Sequence, residues 1–313
     1  MSTSVKREAP AAVSGPMRLP TSSSAARITP QRLRALISHV LLAFLAVIFL
    51  VPFYWMFISS LKTNQTMFSN PIVWLPSVLH WENYASAINY PGFPFLKFLW
   101  NSTYYGLGVT IGTVVSCSMV GYAFARLKFP FRNALFYVTV ATLMIPWVVT
   151  FIPTFILFKE VDTLLSPVGI KVLGTYLPLI VPAFGGNAFY IFLMRQFFLG
   201  LPTELSDAAR ADGAGEFRIF WQIMLPLVKP AIMVMAVFTF LATWHDFFGP
   251  LIYVSDNSQY PLSLGLYAFR AQRTTEWALM MAASTLATVP LIIIFFFTQR
   301  YFLEGIKLTG LKG

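Results

Sequence analysis

A dense group of charged side chains surrounds an Asp-Gly pair in the second half of the sequence. Charged residues make up only 11% of the 313 residues. The group consists of Glu204, Asp207, Arg210, Asp212, Glu216 and Arg218. Carboxylate and guanidinium groups can form ion pairs with one another and charge-assisted hydrogen bonds with a second protein. The stretch therefore offers a polar contact surface, and it lacks the nucleophile–base pair of an active site.

The histidines and the cysteine of the chain do not form a site. His39, His80 and His245 are scattered, and no Cys/His cluster has the spacing of a zinc site. The single cysteine, Cys117, is interpreted as a small packing residue. The sequence contains no Gly-Lys dipeptide, so it lacks the loop G-x-x-x-x-G-K-[ST] that cradles the phosphates of ATP. We therefore expect no enzyme active site, no metal and no cofactor on this chain.

Long uncharged intervals supply the elements that must position the charged stretch. The chain is 57% hydrophobic and 17% aromatic. Five intervals contain no Asp, Glu, Lys or Arg, and a sixth is interrupted by Asp246 alone. Each exceeds the roughly 20 residues that a helix needs to cross the hydrocarbon core of a bilayer. The sequence predicts an all-α integral membrane protein with spans near residues 36–60, 101–125, 133–157, 174–198, 228–250 and 277–301.

The basic residues predict the orientation of these spans. The formal net charge is +10. With a cytoplasmic N-terminus, 16 of the 22 Lys and Arg residues fall on the cytoplasmic side and 6 outside, as the positive-inside rule requires. Both termini and the charged stretch, between spans four and five, are then cytoplasmic. The charge is explained by membrane topology, and we expect lipid rather than nucleic acid as a partner.

The domain boundaries follow from the spans. Residues 1–35 are rich in Ser, Ala and Pro and predict a flexible cytoplasmic tail, not a secretory signal. Residues 36–302 form the six-helix membrane domain, and residues 303–313 form a cytoplasmic tail. Within the membrane domain, Gly108 and Gly112 have the small-xxx-small spacing that lets helices approach closely. Pro146, in the third span, belongs to a set of breaks that predicts bent helices, and the sequence leaves open whether these helices line a cavity.

The local sequence predicts two short helices in the loop 199–226. Pro202 ends the incoming span, and Thr203 is placed to cap a new helix with its side chain. The Asp212-Gly213 pair ends that helix, because glycine adopts the left-handed conformation at little cost. A second helix near 216–223 is expected to expose aromatic residues at i, i+3 and i+4, namely Phe217, Phe220 and Trp221. On composition alone, these features also fit an ordinary interfacial loop.

The stretch "DAARADGAGEFRIFWQIMLPLVKP", residues 207–230, resembles a known motif. Permease subunits of binding-protein-dependent ABC importers carry a cytoplasmic loop E-A-A-x-x-x-G followed by L-P. Asp207 stands where that family usually has Glu. Further segments resemble the carbohydrate-importer branch, in particular the second permease of maltose-type systems: "PFYWMFISSLK" (52–62), "NSTYYG" (101–106), "GYAFARLKFPFR" (121–132), "TWHDFFGPL" (243–251) and "QRYFLEGIKLTGLKG" (299–313).

The resemblance implies a partner for the charged loop. In that family the loop is a coupling helix that docks on an ATPase subunit. In maltose-type importers the C-terminal tail also reaches into the ATPase dimer. The coupling residues it implies are Glu204, Asp207, Ala208, Ala209, Asp212, Gly213, Ala214 and Phe217. The tail residues are Gly310, Leu311, Lys312 and Gly313, where family members often end in G-A-V-K-G. The implied partners are a second permease, two ATPase subunits that bind ATP and Mg, and an extracytoplasmic solute-binding protein.

The function that follows is import of a sugar or sugar-like solute across a prokaryotic plasma membrane. Trp244, His245 and Asp246 are candidates for the external end of the substrate path. Counted from Pro230, Asp246 lies roughly 24 Å along its helix. Asp246 either faces a cavity or caps the break before Gly249-Pro250, and the sequence leaves both open. An ion-coupled secondary transporter is the alternative, although such proteins usually need several intramembrane ionisable residues.

Overall fold

The computed structural model describes residues 30–270 and 276–310, with side chains described for all of these except Pro30, Arg32 and residues 301–310. All regular secondary structure in these ranges is helical. The prediction of an all-α chain is therefore confirmed for the part of the chain that the structure describes. Residues 1–29, which make up most of the predicted N-terminal tail, lie outside it.

The described part of the chain contains fifteen α-helices. They are α1 (Pro30–Ser60), α2 (Asn64–Met67), α3 (Glu82–Ile88), α4 (Phe95–Arg126), α5 (Arg132–Ala141), α6 (Trp147–Leu165), α7 (Leu177–Ile180) and α8 (Ala188–Leu199). They continue with α9 (Glu204–Ala211), α10 (Glu216–Arg218), α11 (Leu225–Leu227), α12 (Lys229–Trp244), α13 (Phe248–Tyr253), α14 (Leu262–Arg270) and α15 (Trp277–Gly310). A 3₁₀ segment, Val181–Gly185, joins α7 to α8, and a π-helix, Ile219–Met224, joins α10 to α11.

The described helices include four that are long and apolar enough to cross a membrane. They are Leu33–Ser60, Phe95–Arg126, Leu177–Leu199 and Trp277–Arg300. Two bent pairs bring the number to six if each pair counts as one span: Arg132–Met144 with Trp147–Val168, and Glu216–Leu227 with Lys229–Trp244. Four to six candidate spans thus occupy the regions in which the sequence predicts six.

The third and fifth predicted spans are both interrupted. The third, placed over 133–157 with Pro146 among the breaks that predict bent helices, bends as expected, by 102° between Met144 and Trp147. Ile145 is extended there, with ψ 113°, because the ring of a following proline, here Pro146, disfavours the α conformation in the residue before it. The fifth, expected to reach residue 250, ends at Trp244, and a separate helix α13 begins at Phe248. Pro52, by contrast, lies within a continuous α1.

The chain divides into two compact units, Met1–Pro52 and Phe53–Gly313. In the described part of the first unit, which contains residues 30–52 of α1, apolar side chains are exposed, such as Phe49 at 72%. An apolar surface of that kind fits a helix whose surroundings are lipid or another membrane helix. The second unit contains the buried cores and all of the candidate site residues that the structure describes.

Helix α4 is the central element of the second unit. Side chains of the α7–α8 region fill the space over its glycines: a Cβ on Gly108 would meet Ile180, and one on Gly112 would meet Phe184. This is the close approach that the small-xxx-small pattern predicts. Three apolar clusters include side chains of α4. The cluster near its C-terminal half, called the loop-side cluster here, includes Cys117, Tyr122, Phe124, Met194, Phe198, Ala209, Ile219, Phe220, Met224 and Met235.

Candidate functional site

The turn at the end of α9 has the predicted geometry. Gly213 adopts φ +79°, the left-handed conformation. Its N–H donates to the carbonyl of Arg210 at 3.0 Å, and the N–H of Ala214 donates to the carbonyl of Ala209 at 2.9 Å. This pair of bonds is the Schellman arrangement, which satisfies the last carbonyls of a helix. The Asp212-Gly213 pair therefore fixes where α9 ends.

The start of α9 differs from the prediction. Thr203 is the residue before the helix, but its side chain makes no capping hydrogen bond. Its backbone is already in the α region, with φ −71° and ψ −29°, whereas a side-chain cap requires an extended residue. The carbonyl of Thr203 instead accepts from the N–H groups of Ser206 and Asp207 at 3.0 and 3.1 Å. The expectation of side-chain capping by Thr203 was therefore wrong.

The predicted coupling residues divide between a surface and a core. Phe217 is 71% exposed, and the other exposed members are Glu204, Asp207, Ala208, Asp212 and Gly213. Ala209 is buried at 8% exposure in the loop-side cluster, and Ala214 packs against that cluster. The small side chains at 209 and 214 thus let the loop lie close to the core, while its charges and Phe217 remain available to a partner.

The second helix of the loop is shorter and less regular than expected. It consists of Glu216–Arg218, and the π-helix Ile219–Met224 follows directly. Phe220 is 5% exposed and its ring lies 5.2 Å from that of Tyr122. A π-helix has more residues per turn than an α-helix, so the i, i+3, i+4 rule fails here. Phe217 and Trp221 are exposed as predicted, and the predicted exposure of Phe220 is wrong.

The charged side chains of the loop form a connected network. Arg210 Nη1 donates to Asp207 Oδ1 at 2.7 Å, and Arg210 Nε donates to Glu216 Oε1 at 2.8 Å. The bond to Glu216, followed by the nearby charges of Glu216 and Asp207, raises the pKa of Arg210 above its ordinary value. The hydroxyl of Tyr122 donates to Glu216 Oε2 at 2.8 Å. Tyr122 comes from α4, and sequence reasoning did not identify it as a site residue.

Two arginines connect the neighbouring ends of α4 and α8. Arg126 Nη2 donates to the carbonyls of Phe198 and Leu201 at 2.6 and 2.5 Å. Arg195 Nε donates to the carbonyl of Phe124 at 3.4 Å, and its guanidinium lies 4.1 Å from the ring centroid of Phe136. Cations at these carbonyls also oppose the negative ends of the helix dipoles. The loop therefore starts from a pair of helix ends that are held together on both sides.

A cavity of about 890 Å³ lies between this junction and the first turns of α9. Its lining includes Arg126, Lys128, Arg132, Thr203, Asp207, Arg210 and Glu216. In the sequence, Arg126, Lys128 and Arg132 served only as evidence for the orientation of the spans in the membrane. Their repeated position at the ends of apolar intervals is the one sequence signal that could have placed them near the loop.

Trp244, His245 and Asp246 do not share one environment. Trp244 is 5% exposed, and His245 is exposed. Asp246 Oδ1 accepts the N–H of Gly249 at 3.1 Å, so its carboxylate caps the break before α13. The other carboxylate oxygen accepts the hydroxyl of Tyr105 at 2.6 Å. Of the two interpretations that the sequence left open for Asp246, the geometry favours the cap.

The C-terminal residues are only partly described. Gly310 is the last residue of α15, and Leu311, Lys312 and Gly313 lie outside the described residues. Within the described ranges, no group of three or more His, Cys, Asp or Glu residues is placed to hold a metal ion.

A helical chain with several apolar candidate spans and a charged loop after Leu177–Leu199 indicates a membrane protein. The chain belongs to the family described as binding-protein-dependent transport system inner membrane component, which it matches over residues 108–308. This match includes the charged loop, both bent pairs and most of α15. It confirms the predicted permease family, the role as a transport subunit rather than an enzyme, and the location as a multi-pass protein of the inner membrane.

Several transport permeases are similar to the chain over most of its length. The arabinooligosaccharides transport system permease protein AraQ of Halalkalibacterium halodurans is 33% identical, over 87% of this chain and 94% of that protein. The sn-glycerol-3-phosphate transport system permease protein UgpE of Yersinia pestis is 31% identical, over 86% of this chain and 94% of that protein.

The fold is also similar to that of a solved transporter. A chain in the crystal structure of a bacterial ABC transporter involved in the import of the acidic polysaccharide alginate superposes with a TM-score of 0.75. The match covers 91% of this chain and 100% of that chain at 20% identity. At this identity the likeness establishes the ABC permease fold alone.

Proposed function

We propose that this permease imports a sugar or sugar-like solute that an extracytoplasmic binding protein delivers, and that the loop 199–226 couples it to ATPase partners. The observation that carries the proposal is the loop geometry. The Schellman turn at Gly213 and the Arg210 bonds define the course of the loop, which leaves several acids and Phe217 exposed. The family membership and the substrates in the names of its relatives, both carbohydrate or polyol derivatives, support the same function.

The proposed topology has six spans with both termini in the cytoplasm. The bent pair Arg132–Met144 with Trp147–Val168 then counts as one broken span and Lys229–Trp244 as the fifth. The loop 199–226 connects the fourth and fifth spans on the cytoplasmic side. Residues 36–302 form the permease domain, and residues 1–35 and 303–313 are cytoplasmic. The distribution of 16 basic residues inside and 6 outside supports this orientation. The proposed assembly contains a second permease and two ATPase subunits, which bind ATP and Mg.

Transport proceeds by alternating access in this proposal. Closure of the ATPase dimer around ATP displaces the coupling residues Glu204, Asp207, Asp212, Gly213 and Phe217. Ala209 and Ala214 keep the loop close enough to the loop-side cluster to pass that displacement to the spans, and Ala208 lies on the exposed side with the displaced residues. The solute path through the membrane then opens outward and accepts the solute. It returns to the inward-facing state after ATP hydrolysis. The tail residues Gly310–Gly313 would contact the ATPase dimer.

The proposed substrate path uses the region of Trp244, His245 and Asp246 at its external end. Exposed His245 offers a ring to solute hydroxyls, and Asp246 stabilises the break between α12 and α13 that lets the chain bend there. A carboxylate whose two oxygens already accept Gly249 N–H and the Tyr105 hydroxyl supports the external end mainly as a structural element. Direct solute contacts from this chain are therefore expected to be few.

Uptake into proteoliposomes that contain the complete complex tests the energy source. We expect import that requires ATP inside the vesicles and the binding protein outside, and that continues when a protonophore collapses the proton gradient. Import that persists without ATP and stops with the protonophore would favour the ion-coupled alternative and remove the proposed function.

A pair of glycine variants tests the coupling loop. A Cβ at Gly213 or at Gly215 meets no atom within 4 Å, so neither position is sterically closed. Gly213 has φ +79°, however, and Gly215 has φ −72°. Gly213→Val should strain the backbone by about 1–2 kcal/mol and weaken ATPase docking, while the matched variant Gly215→Val should leave docking unchanged. Co-purification of the ATPase with each variant measures the difference, and equal docking of both would contradict the assignment of the loop.

A further inference from the structure

A continuous chain of hydrogen bonds runs from the exposed surface of α9 to the interior of α4. It starts at Asp207, passes through the guanidinium of Arg210 to one oxygen of Glu216, and ends with the hydroxyl of Tyr122 on the other oxygen. One oxygen of the Glu216 carboxylate thus accepts from α9, and the other accepts from α4. Tyr122 and Glu216 are 94 residues apart in the sequence, so this bond is a tertiary link between the loop and a membrane-spanning helix.

We propose that Tyr122 is a positioning residue of the coupling loop, which fixes the direction of α9 relative to α4 through Glu216 and Arg210. Displacement of the loop by the ATPase then moves α4 instead of being absorbed within the loop. The inference rests on the proposed function, in which the loop is the contact with the ATPase.

Burial along the chain of bonds agrees with a link between surface and core. Tyr122 is 4% exposed, whereas the side chains of Glu216, Arg210 and Asp207 are 43%, 38% and 68% exposed. Tyr122 therefore belongs to the packed interior, and Asp207 belongs to the surface on which a partner would act. A displacement applied at Asp207 or Arg210 reaches a packed side chain in at most three bonds.

The hydroxyl of Tyr122 makes a directional contact with the loop, which the ring of Tyr122 does not. The ring packs against Phe198 and Phe220, with centroids 5.5 and 5.2 Å away. Such apolar contacts hold the loop near α4, but the hydrophobic effect has no preferred direction. A hydrogen bond weakens steeply when donor and acceptor lose alignment. The Tyr122 hydroxyl is therefore the group that selects one orientation of the loop among those that the apolar contacts permit.

The backbone between α9 and α10 does not fix that orientation alone. Gly213 and Gly215 both lie in this connection, and both have open space around the position of a Cβ. Glycine is the residue with the greatest backbone freedom. The bond from Arg210 to Glu216 closes the connection, and the bond from Tyr122 attaches the closed unit to α4. The π-helix Ile219–Met224 follows α10 directly and is a second irregular segment beside this connection.

The experiment measures ATP hydrolysed per solute molecule imported by the complete reconstituted complex. Tyr122→Phe removes the hydroxyl and keeps the ring in the loop-side cluster. We expect the variant to assemble with the ATPase and to raise the ratio of ATP to solute about three- to tenfold, the range expected when one hydrogen bond no longer favours the coupled orientation. The matched control Tyr137→Phe removes the hydroxyl of a tyrosine on α5 that is 70% exposed, and its ratio should equal that of the wild type.

A second variant approaches the link from its exposed side. Glu216→Gln leaves the core unchanged and removes the negative charge to which both Arg210 and Tyr122 donate. The ratio of ATP to solute should therefore also rise in this variant. The double variant Tyr122→Phe/Glu216→Gln should show a ratio close to that of the more severe single variant, because both substitutions interrupt one link.

Three results would overturn the inference or separate it from the proposed function. An unchanged ratio in either assembled single variant, or multiplicative effects in the double variant, would show that the link does not transmit displacement. Import by the wild-type complex without ATP would instead remove the proposed function itself. Because the wild-type measurement precedes the variants, the two failures are distinguishable.

Discussion

Helix α4 carries, towards each of its two ends, a tyrosine whose hydroxyl donates to a carboxylate. Tyr105 donates to Asp246 at 2.6 Å, and Tyr122 donates to Glu216 at 2.8 Å. Both tyrosines are buried, at 5% and 4% exposure. At 1.5 Å per residue, the two pairs are about 25 Å apart along the helix. The same chemical pair thus occurs towards both ends of one central helix.

The two carboxylates differ in what their second oxygen does. That of Asp246 accepts the N–H of Gly249, three residues further along the chain, so the pair stabilises a local break. That of Glu216 accepts from the guanidinium of Arg210 across the Gly213 turn. The comparison shows that one pair serves the backbone of a span, whereas the other connects a surface loop to the core. We expect stability to depend mainly on the first pair and coupling mainly on the second.

Substitution of Asp246 should produce the largest effect on stability. Asp246→Ala removes the cap of α13 and leaves the buried Tyr105 hydroxyl without its acceptor, with an expected loss of about 3 kcal/mol in unfolding free energy. Asp246→Asn keeps an oxygen for Gly249 N–H and should retain most of the stability. Unfolding of the purified permease in detergent micelles measures both variants. If Asn is as damaging as Ala, the charge is required and the cap alone does not explain Asp246.

The two tyrosines should separate stability from coupling. Tyr105→Phe should lower the unfolding free energy by about 1–2 kcal/mol, because the part-buried carboxylate of Asp246 loses the hydroxyl donor. Tyr122→Phe should cost less stability, since Glu216 is part-exposed and keeps Arg210. Unfolding in micelles and the ratio of ATP to solute are measured on both variants. The comparison would fail if Tyr105→Phe changed that ratio more than Tyr122→Phe does.

Asp207→Glu should have the smallest effect. The Asp207 side chain is 68% exposed, and its carboxylate accepts from Arg210 Nη1. A glutamate one methylene longer can keep this surface ion pair, and exposed pairs contribute little to stability. We expect unchanged unfolding and unchanged ATPase docking, measured in parallel with the Gly213 and Gly215 variants. A clear gain in docking would show that the partner reads the length of this side chain directly.

The membrane segments could be recognised from composition, because uncharged apolar runs long enough to cross a bilayer are rare in soluble domains. The shapes of the membrane segments could be predicted only in part. The 102° bend at Pro146 and the unbroken helix through Pro52 involve the same residue type. A proline in a membrane helix bends it or not according to whether neighbouring groups compensate the lost hydrogen bond, which a single sequence does not reveal.

In the charged loop, too, one feature could be predicted from the sequence and another could not. The Asp212-Gly213 turn was predictable, since it depends on the backbone preference of one glycine. The exposure of Phe220 was not, because the π-helix that turns it into the core depends on packing against Tyr122 and Phe198.

The sequence by itself determined the properties that depend on composition and local preference: an all-α membrane chain, the location of its charged loop and the family that the loop motif indicates. The tertiary structure decided which distant side chains meet. Tyr105 reaches Asp246 across 141 residues of sequence, and Tyr122 reaches Glu216 across 94. Hydrogen bonds act over about 3 Å, so these pairs exist only when packed helices bring their atoms to that distance, and no local pattern encodes them.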